Sequence, residues 1–173
     1  SERHCSNLDK IQDVHQFHPI PIYKIVHKIG FNKLHIPIKV DYGVRALVDL
    51  AQHTRDRTVN AEDIARRTSI PKPFLAQVLH TLTKSGVIQS RRGVNGGYSL
   101  AMEASSIKLS KVVEYLGHTI TPVACLTDST ICIHVPSCAQ REVWKSVDKA
   151  VFNILDSTTI GSLVEKTITP KTQ

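Results

Sequence analysis

Residues 58–88 read TVNAEDIARRTSIPKPFLAQVLHTLTKSGVI. Asn60 is placed to cap a helix, and Glu62 and Asp63 fall in its first turn, where carboxylates suit the positive end of the helix dipole. Ile64 and Ala65 are expected to face inward, and the helix is expected to stop before Ser69-Ile70-Pro71. A second helix begins around Pro71 and Lys72. Prolines are tolerated there because first-turn N–H groups have no intrahelical partner. Phe74, Leu75, Val78, Leu79 and Leu82 recur at helical spacing and predict an apolar face. Gly86 suits a left-handed C-terminal cap. A short helix, a tight turn and a longer helix make a helix-turn-helix.

Residues 87–101, VIQSRRGVNGGYSLA, follow directly. Val87 and Ile88, then Tyr98 and Leu100, predict two short strands. Gly93, Asn95, Gly96 and Gly97 between them tolerate the backbone angles of a hairpin tip. A helix-turn-helix followed by a hairpin carrying Arg91 and Arg92 is a winged helix. A phosphate-binding loop needs Gly-Lys-Ser/Thr opening a helix. Here Gly97 leads into a strand, which sets that enzyme reading aside.

Outward from this unit the pattern is helical. In KVDYGVRALVDLAQHT (39–54), Val40, Val44, Leu47, Val48 and Ala51 fall on one side of a helix, with Asp41 as N-cap or first-turn carboxylate. IKLSKVVEYLGH (107–118) predicts a short helix capped by Ser110 and ended by Gly117. AQREVWKSVDKAVFNIL (139–155) predicts a longer one, with Val143, Val147, Ala150, Val151 and Ile154 as its stripe and Trp144 beside it. TIGSLVEK (159–166) predicts a last helix capped by Thr159. The fold class is therefore mainly α with a small β-hairpin wing, a winged helix-turn-helix followed by a long helix suited to forming a homodimer.

The 173 residues carry a formal charge of +7, with 22 Lys and Arg against 15 Asp and Glu. That balance suggests a polyanionic partner, nucleic acid being the usual one, with an indifferent basic surface as the alternative. Around the predicted motif Arg55, Arg57, Arg66, Arg67, Lys72, Lys84, Arg91 and Arg92 outnumber Asp56, Glu62 and Asp63. The second helix of such a motif lies in the major groove of double-stranded DNA. Gln77 can pair bidentately with adenine. Lys72 suits phosphate, and His80 is a further polar member of the helix. Arg91, Arg92 and the tip residue Asn95 complete the expected DNA-contact set, the arginines suiting phosphate or a narrow minor groove. No nucleophile with its base, and no paired acid and base, is present to support an enzyme.

No apolar run approaches the roughly eighteen residues that cross a bilayer, and no signal-peptide pattern opens the chain. A cytoplasmic protein without a membrane partner is expected, with reduced thiols. Three of the four cysteines, Cys125, Cys132 and Cys138, crowd into CLTDSTICIHVPSC (125–138), while Cys5 stands apart. Thiolates are the usual ligands of iron–sulfur clusters. The paired C-x2-C of zinc ribbons is absent, which makes zinc less apt. Ordinary buried thiols are the third possibility.

Taken in order, DYGVRALVDLA, IARRTSIPKPFLAQVLHTLTKSGVIQSRRGVNGGYSLA, the three-cysteine loop and VWKSVDKAVFNILDSTTIGSLV resemble the Rrf-type winged-helix regulators of bacteria, the family of IscR, NsrR and RirA. The likeness runs from about Leu34 to Lys166. It implies a DNA-binding transcriptional regulator, not an enzyme, controlled by a cluster held by Cys125, Cys132 and Cys138. It favours 4Fe–4S and leaves 2Fe–2S open. IscR-like members place a histidine three residues after the last cysteine, where this chain has Arg141; His134 is a nearby candidate. NsrR-like members use an aspartate at the start of the first helix, donated across the dimer, which implies Asp41 as fourth ligand. The alternatives are a thiol- or zinc-switched regulator without a cluster and, from another class, a cluster carrier or metal-dependent enzyme. Family members begin near the equivalent of Leu34. Residues 1–33 are accordingly expected to be a loosely ordered extension arising from an upstream start assignment, 34–104 the DNA-binding domain, and 105–173 the cysteine loop and dimerisation helix.

Overall fold

The computed structural model describes residues 36–53, 58–93 and 96–168. The expected extension 1–33, the basic residues Arg55 and Arg57, and Asn95 at the hairpin tip lie outside the described residues.

Helix α1 (Ile38–His53) is the central element, packing against the elements that follow it. Its buried face is Val40, Gly43, Ala46, Leu47 and Leu50. That is a rotation from the stripe expected from sequence: Val44, Val48 and Ala51 are half-buried along its flank. The rotation follows from Gly43. A Cβ there would come within 2.5 Å of Leu116 Cδ1, so the missing side chain lets the helix approach its neighbour at that point.

Helix α2 (Ala61–Thr68) starts as expected, with Asn60 Oδ1 accepting the Asp63 N–H at 2.8 Å. It buries Ile64 and Ala65 and ends at Ser69, whose φ of 55° makes the sharp turn. Helix α3 (Lys72–Lys84) begins immediately after Pro71 and buries Leu75, Val78, Leu79 and Leu82. Phe74 departs from the expected apolar face. It is 52% exposed, its ring meeting Tyr42 edge-on with centroids 6.3 Å apart. About 100° per residue places it at right angles to the core-facing side. Gly86, at φ 79°, takes the left-handed position after the helix.

Strands β1 (Ile88–Arg91) and β2 (Gly97–Leu100) pair antiparallel, with Ile88 opposite Leu100 and Arg91 opposite Gly97. A third strand-like contact escaped the sequence reading. Val59 and Tyr98 exchange two backbone hydrogen bonds of 2.8 Å. The residue before the cap of α2 therefore anchors the wing to the helix-turn-helix. Gly97 makes the approach possible: at φ 153°, a Cβ there would lie 2.5 Å from the Val59 carbonyl oxygen. Gly97→Ala is expected to destabilise the protein by about 1–3 kcal/mol and to speed amide exchange at Val59 and Tyr98 before the rest of the core. Unchanged exchange at both would show that the bridge does not hold the wing.

Helix α4 (Leu109–Tyr115) contributes Val112 and Val113 to the core, and Gly117, at φ 75°, follows its C-cap Leu116. Ser110 is not its cap. The helix already includes it, and its hydroxyl donates to Asp156 at 2.8 Å. Helix α5 (Arg141–Ser157) has no buried residue, whereas α6 (Ile160–Ile168) tucks Ile160 into the core. Thr159 caps α6 through a reciprocal exchange with Ser162. A backbone bridge between Lys108 and Thr159 closes the far end of the chain onto the entry to α4. One apolar core thus runs from Val40 to Ile160; between Leu116 and Ile160 no residue is fully buried, and half-buried Ile120 and Leu155 pack against it. Among the described residues no helix is long and apolar enough to cross a membrane.

Candidate DNA-binding surface and cysteine loop

Burying Leu75, Val78, Leu79 and Leu82 leaves the opposite side of α3 in solvent, and Lys72, Pro73, Phe74, Ala76, Gln77 and His80 are all exposed there. Gln77 and His80 stand free of the core as the sequence predicts. Lys72 is engaged: its ammonium pairs with Glu62 of α2 across the turn. That partner, by hydrogen bond and charge, holds the Glu62 carboxyl below its usual range. The pair clasps the two helices of the motif at their exposed edge, and such a solvated pair adds little to stability.

The wing presents Arg91 and Arg92 to solvent, and neither makes an ion pair among the described residues. Their positive charge is uncompensated, as a phosphate contact requires. Arg92→Ala is expected to weaken binding to all duplexes by several-fold at low salt and to reduce the salt slope by about one. Equal affinity across a salt titration would remove the wing from the interface.

One cation on the motif faces inward instead. Arg67 forms a two-pronged pair with Asp49 of α1, Nε to Oδ1 at 2.7 Å and Nη2 to Oδ2 at 2.8 Å. Asp49 is 5% exposed. The hydrogen bond to Asp49 raises the Arg67 pKa further above its ordinary value. His53 adds a third contact, its Nδ1–H donating to the Asp49 carbonyl at 2.8 Å. Sequence reading counted Arg67 among the surface cations. An aspartate in the middle of an apolar helical run, four before a histidine, was the available signal for its partner.

The loop after α4 is a chain of three 3-10 turns, Ala124–Leu126, Ser129–Ile131 and Val135–Ser137. Cys125 lies in the first; Cys132 and Cys138 end the second and third. All three are half-buried free thiols. Asp128 organises the middle turn by accepting from the Thr130 hydroxyl and N–H, which lower its pKa. Arg141, at the start of α5, donates to the Cys125 carbonyl at 3.2 Å. His134 is exposed. Asp41 sits in the first turn of α1 and pairs with Arg45. The donors suit an iron–sulfur centre in kind, being three free thiols on one connection. They are not converged: no three His, Cys, Asp or Glu side chains among the described residues are grouped to hold a metal ion.

At its far end α5 is tied down by Asp156, which accepts from Lys108 and Ser110. Lys108 first, then Ser110, holds the Asp156 carboxyl below its usual range. A lowered carboxylate pKa means that this tie holds above the ordinary carboxylate range and is lost as pH falls through the depressed value. Along the helix, Val143, Phe152 and Ile154 are each more than half exposed. Trp144 is half-buried, its indole N–H reaching Gln140 at 3.3 Å.

A helix-turn-helix with an arginine-bearing wing, joined to a long apolar-striped helix through a thiol-rich loop, defines a winged-helix transcriptional regulator. The Rrf2 family, described as iron-dependent transcriptional regulators, matches residues 36–166, and the chain belongs to it. Protein rrf2 of Nitratidesulfovibrio vulgaris (Hildenborough) is 34% identical over 131 residues, covering 75% of this chain and 87% of that protein. Two solved structures are also similar. CymR, the global cysteine regulator of Bacillus subtilis, is 30% identical with a TM-score of 0.66, over 78% of this chain and 98% of that one. IscR of T. potens is 31% identical with a TM-score of 0.61, over 77% and 88%.

Proposed function

We propose that this chain is a cytoplasmic, sequence-specific DNA-binding regulator that works as a homodimer, with operator affinity set by the state of its cysteine loop through an iron–sulfur cluster. The observation that carries the reading is the division of labour along the chain. The DNA-facing side of α3 and the wing arginines are exposed on a well-packed unit. The three half-buried thiols lie on a connection that adds no fully buried residue to the core. The role is regulatory rather than enzymatic, in keeping with relatives named as transcriptional regulators.

The homodimer rests on α5, where Val143, Phe152 and Ile154 are left exposed by the other described residues. A second copy supplies the cover and sets two recognition helices at the spacing of a palindromic operator. Cys125, Cys132 and Cys138 would hold the cluster, 4Fe–4S by family likeness, with Asp41 donated across the dimer. When bound, it supplies a centre sensitive to oxidants, nitric oxide or iron supply. The chain's own residues carry the consequence. Closing the loop shifts the Cys125 carbonyl, Arg141 transmits that shift to the start of α5, and Asp156 holds the other end of α5 to α4. Two arrangements of loop and helix then bind DNA with different affinity.

A second reading, a thiol switch without a cluster, is favoured by the unconverged thiols and by the likeness to a cysteine regulator. Oxygen-free purification separates the two. Brown protein with stoichiometric iron and sulfide, whose gel shift on genomic fragments changes when the cluster is destroyed, supports the first. Colourless protein whose gel shift responds to thiol oxidation supports the second. Protein that retards no fragment in either state overturns both.

A further inference from the structure

The exposed side of α3 is short of hydrogen-bonding groups where it meets the bases. Taking about 100° per residue, Pro73, Gln77, His80 and Lys84 lie within about 30° of the direction opposite the core, and Ala76 about 70° from it. The first two turns hold no arginine. Their one cation, Lys72, is turned about 110° away and is engaged by Glu62. Phe74 is turned to the other flank, against Tyr42. Gln77 is therefore the only side chain of these two turns able to make a two-pronged contact with a base edge. Pro73 and Ala76, both exposed, form an apolar surface beside it.

The major-groove edge of a base pair offers one apolar group, the 5-methyl of thymine, and small apolar side chains pack on it. The geometry points to Ala76, supported by Pro73, as a specificity-determining residue that seats a thymine methyl within a base step of the adenine read by Gln77. The half-site read by this helix is accordingly built on A·T pairs. Placing a guanine there would leave its two acceptors without the arginine or lysine that usually meets them. This inference rests on the DNA-binding reading above.

The test uses the full chain, prepared without oxygen, and duplexes enriched from a random pool. In the enriched half-site each thymine is replaced in turn by deoxyuridine, which deletes only the methyl. Burial of one methyl corresponds to about fourfold in affinity. A loss of that size is expected at one thymine and not at the others. Ala76→Gln, an exposed change to a good helix former, is expected to erase the difference between thymine and deoxyuridine there while keeping the thermal melt of the parent. Duplexes enriched to a clear consensus, with every deoxyuridine substitution within about twofold, overturn the inference and leave DNA binding standing. So does a methyl effect that survives in Ala76→Gln. If no consensus is enriched, the DNA-binding reading fails and this inference fails with it.

Discussion

Asp49→Ala is expected to lower the unfolding free energy by about 3–5 kcal/mol, the usual cost of removing one partner from a buried ion pair. For a small domain whose total stability is about 5–15 kcal/mol, that is a large share. The cause is what remains. Arg67 loses both acceptors for its fork while still turned toward α1, with its side chain 29% exposed. The Asp49 carboxylate joins the first helix to the end of α2, so its loss also frees the helix-turn-helix to shift on α1. A drop in melting temperature of about 10 °C follows for a chain of this size. The double change Asp49→Leu with Arg67→Met replaces the pair by apolar volume and is expected to recover most of the loss. Circular-dichroism melts of the single and double variants are the measurement. An Asp49→Ala protein that melts with the parent would mean that the pair is solvated and contributes nothing.

If the loop holds a cluster as proposed, Cys132→Ala is expected to strip iron and sulfide from protein purified without oxygen, because the two remaining loop thiolates would be too few to secure it. The fold should not notice. The fully buried residues stop at Leu116 and resume at Ile160, and Cys132 is half-buried in the loop outside that core. Its loss is expected to move the melting temperature by less than about 2 °C, as for surface substitutions generally. Operator binding should persist and become indifferent to oxidants. Retention of full iron and sulfide by Cys132→Ala would mean that the loop is not the cluster site. Cys5→Ala serves as the control that keeps both.

Much of the molecule was legible because its signals are local. The Asn60 cap, the prolines opening α3, Gly86, Gly117 and Thr159 each act within a few residues, and helices begin and end where those residues place them. The apolar spacing of Leu75, Val78, Leu79 and Leu82 is likewise a property of one helix, and all four are buried. Phe74 misled because it belongs to the same run by residue type, yet at about 100° per residue it points along the side of α3.

The contacts that position the functional surface were not legible, since they join residues far apart in sequence. Val59 meets Tyr98 across thirty-nine positions, and Lys108 meets Thr159 across fifty-one. A single strand-like residue has no periodicity to announce it. Arg67 looked like one more surface cation until Asp49, eighteen residues earlier, was brought against it. The cysteine loop shows the converse limit. Its composition declares three sulfur donors, but nothing in their spacing determines how the connecting turns fold.

What the amino-acid order determined unaided is the succession of elements and the chemistry each offers: a helix-turn-helix, an arginine wing, a thiol loop, an apolar-striped helix. Local backbone preferences and helical periodicity suffice for that. Tertiary structure alone decided which of those residues are available. Asp49 ties Arg67 to the interior and Glu62 ties Lys72 across the turn, whereas Gln77, Arg91 and Arg92 are left in solvent. Availability depends on which distant groups folding brings within reach of each charge, and short-range sequence patterns carry no such distances.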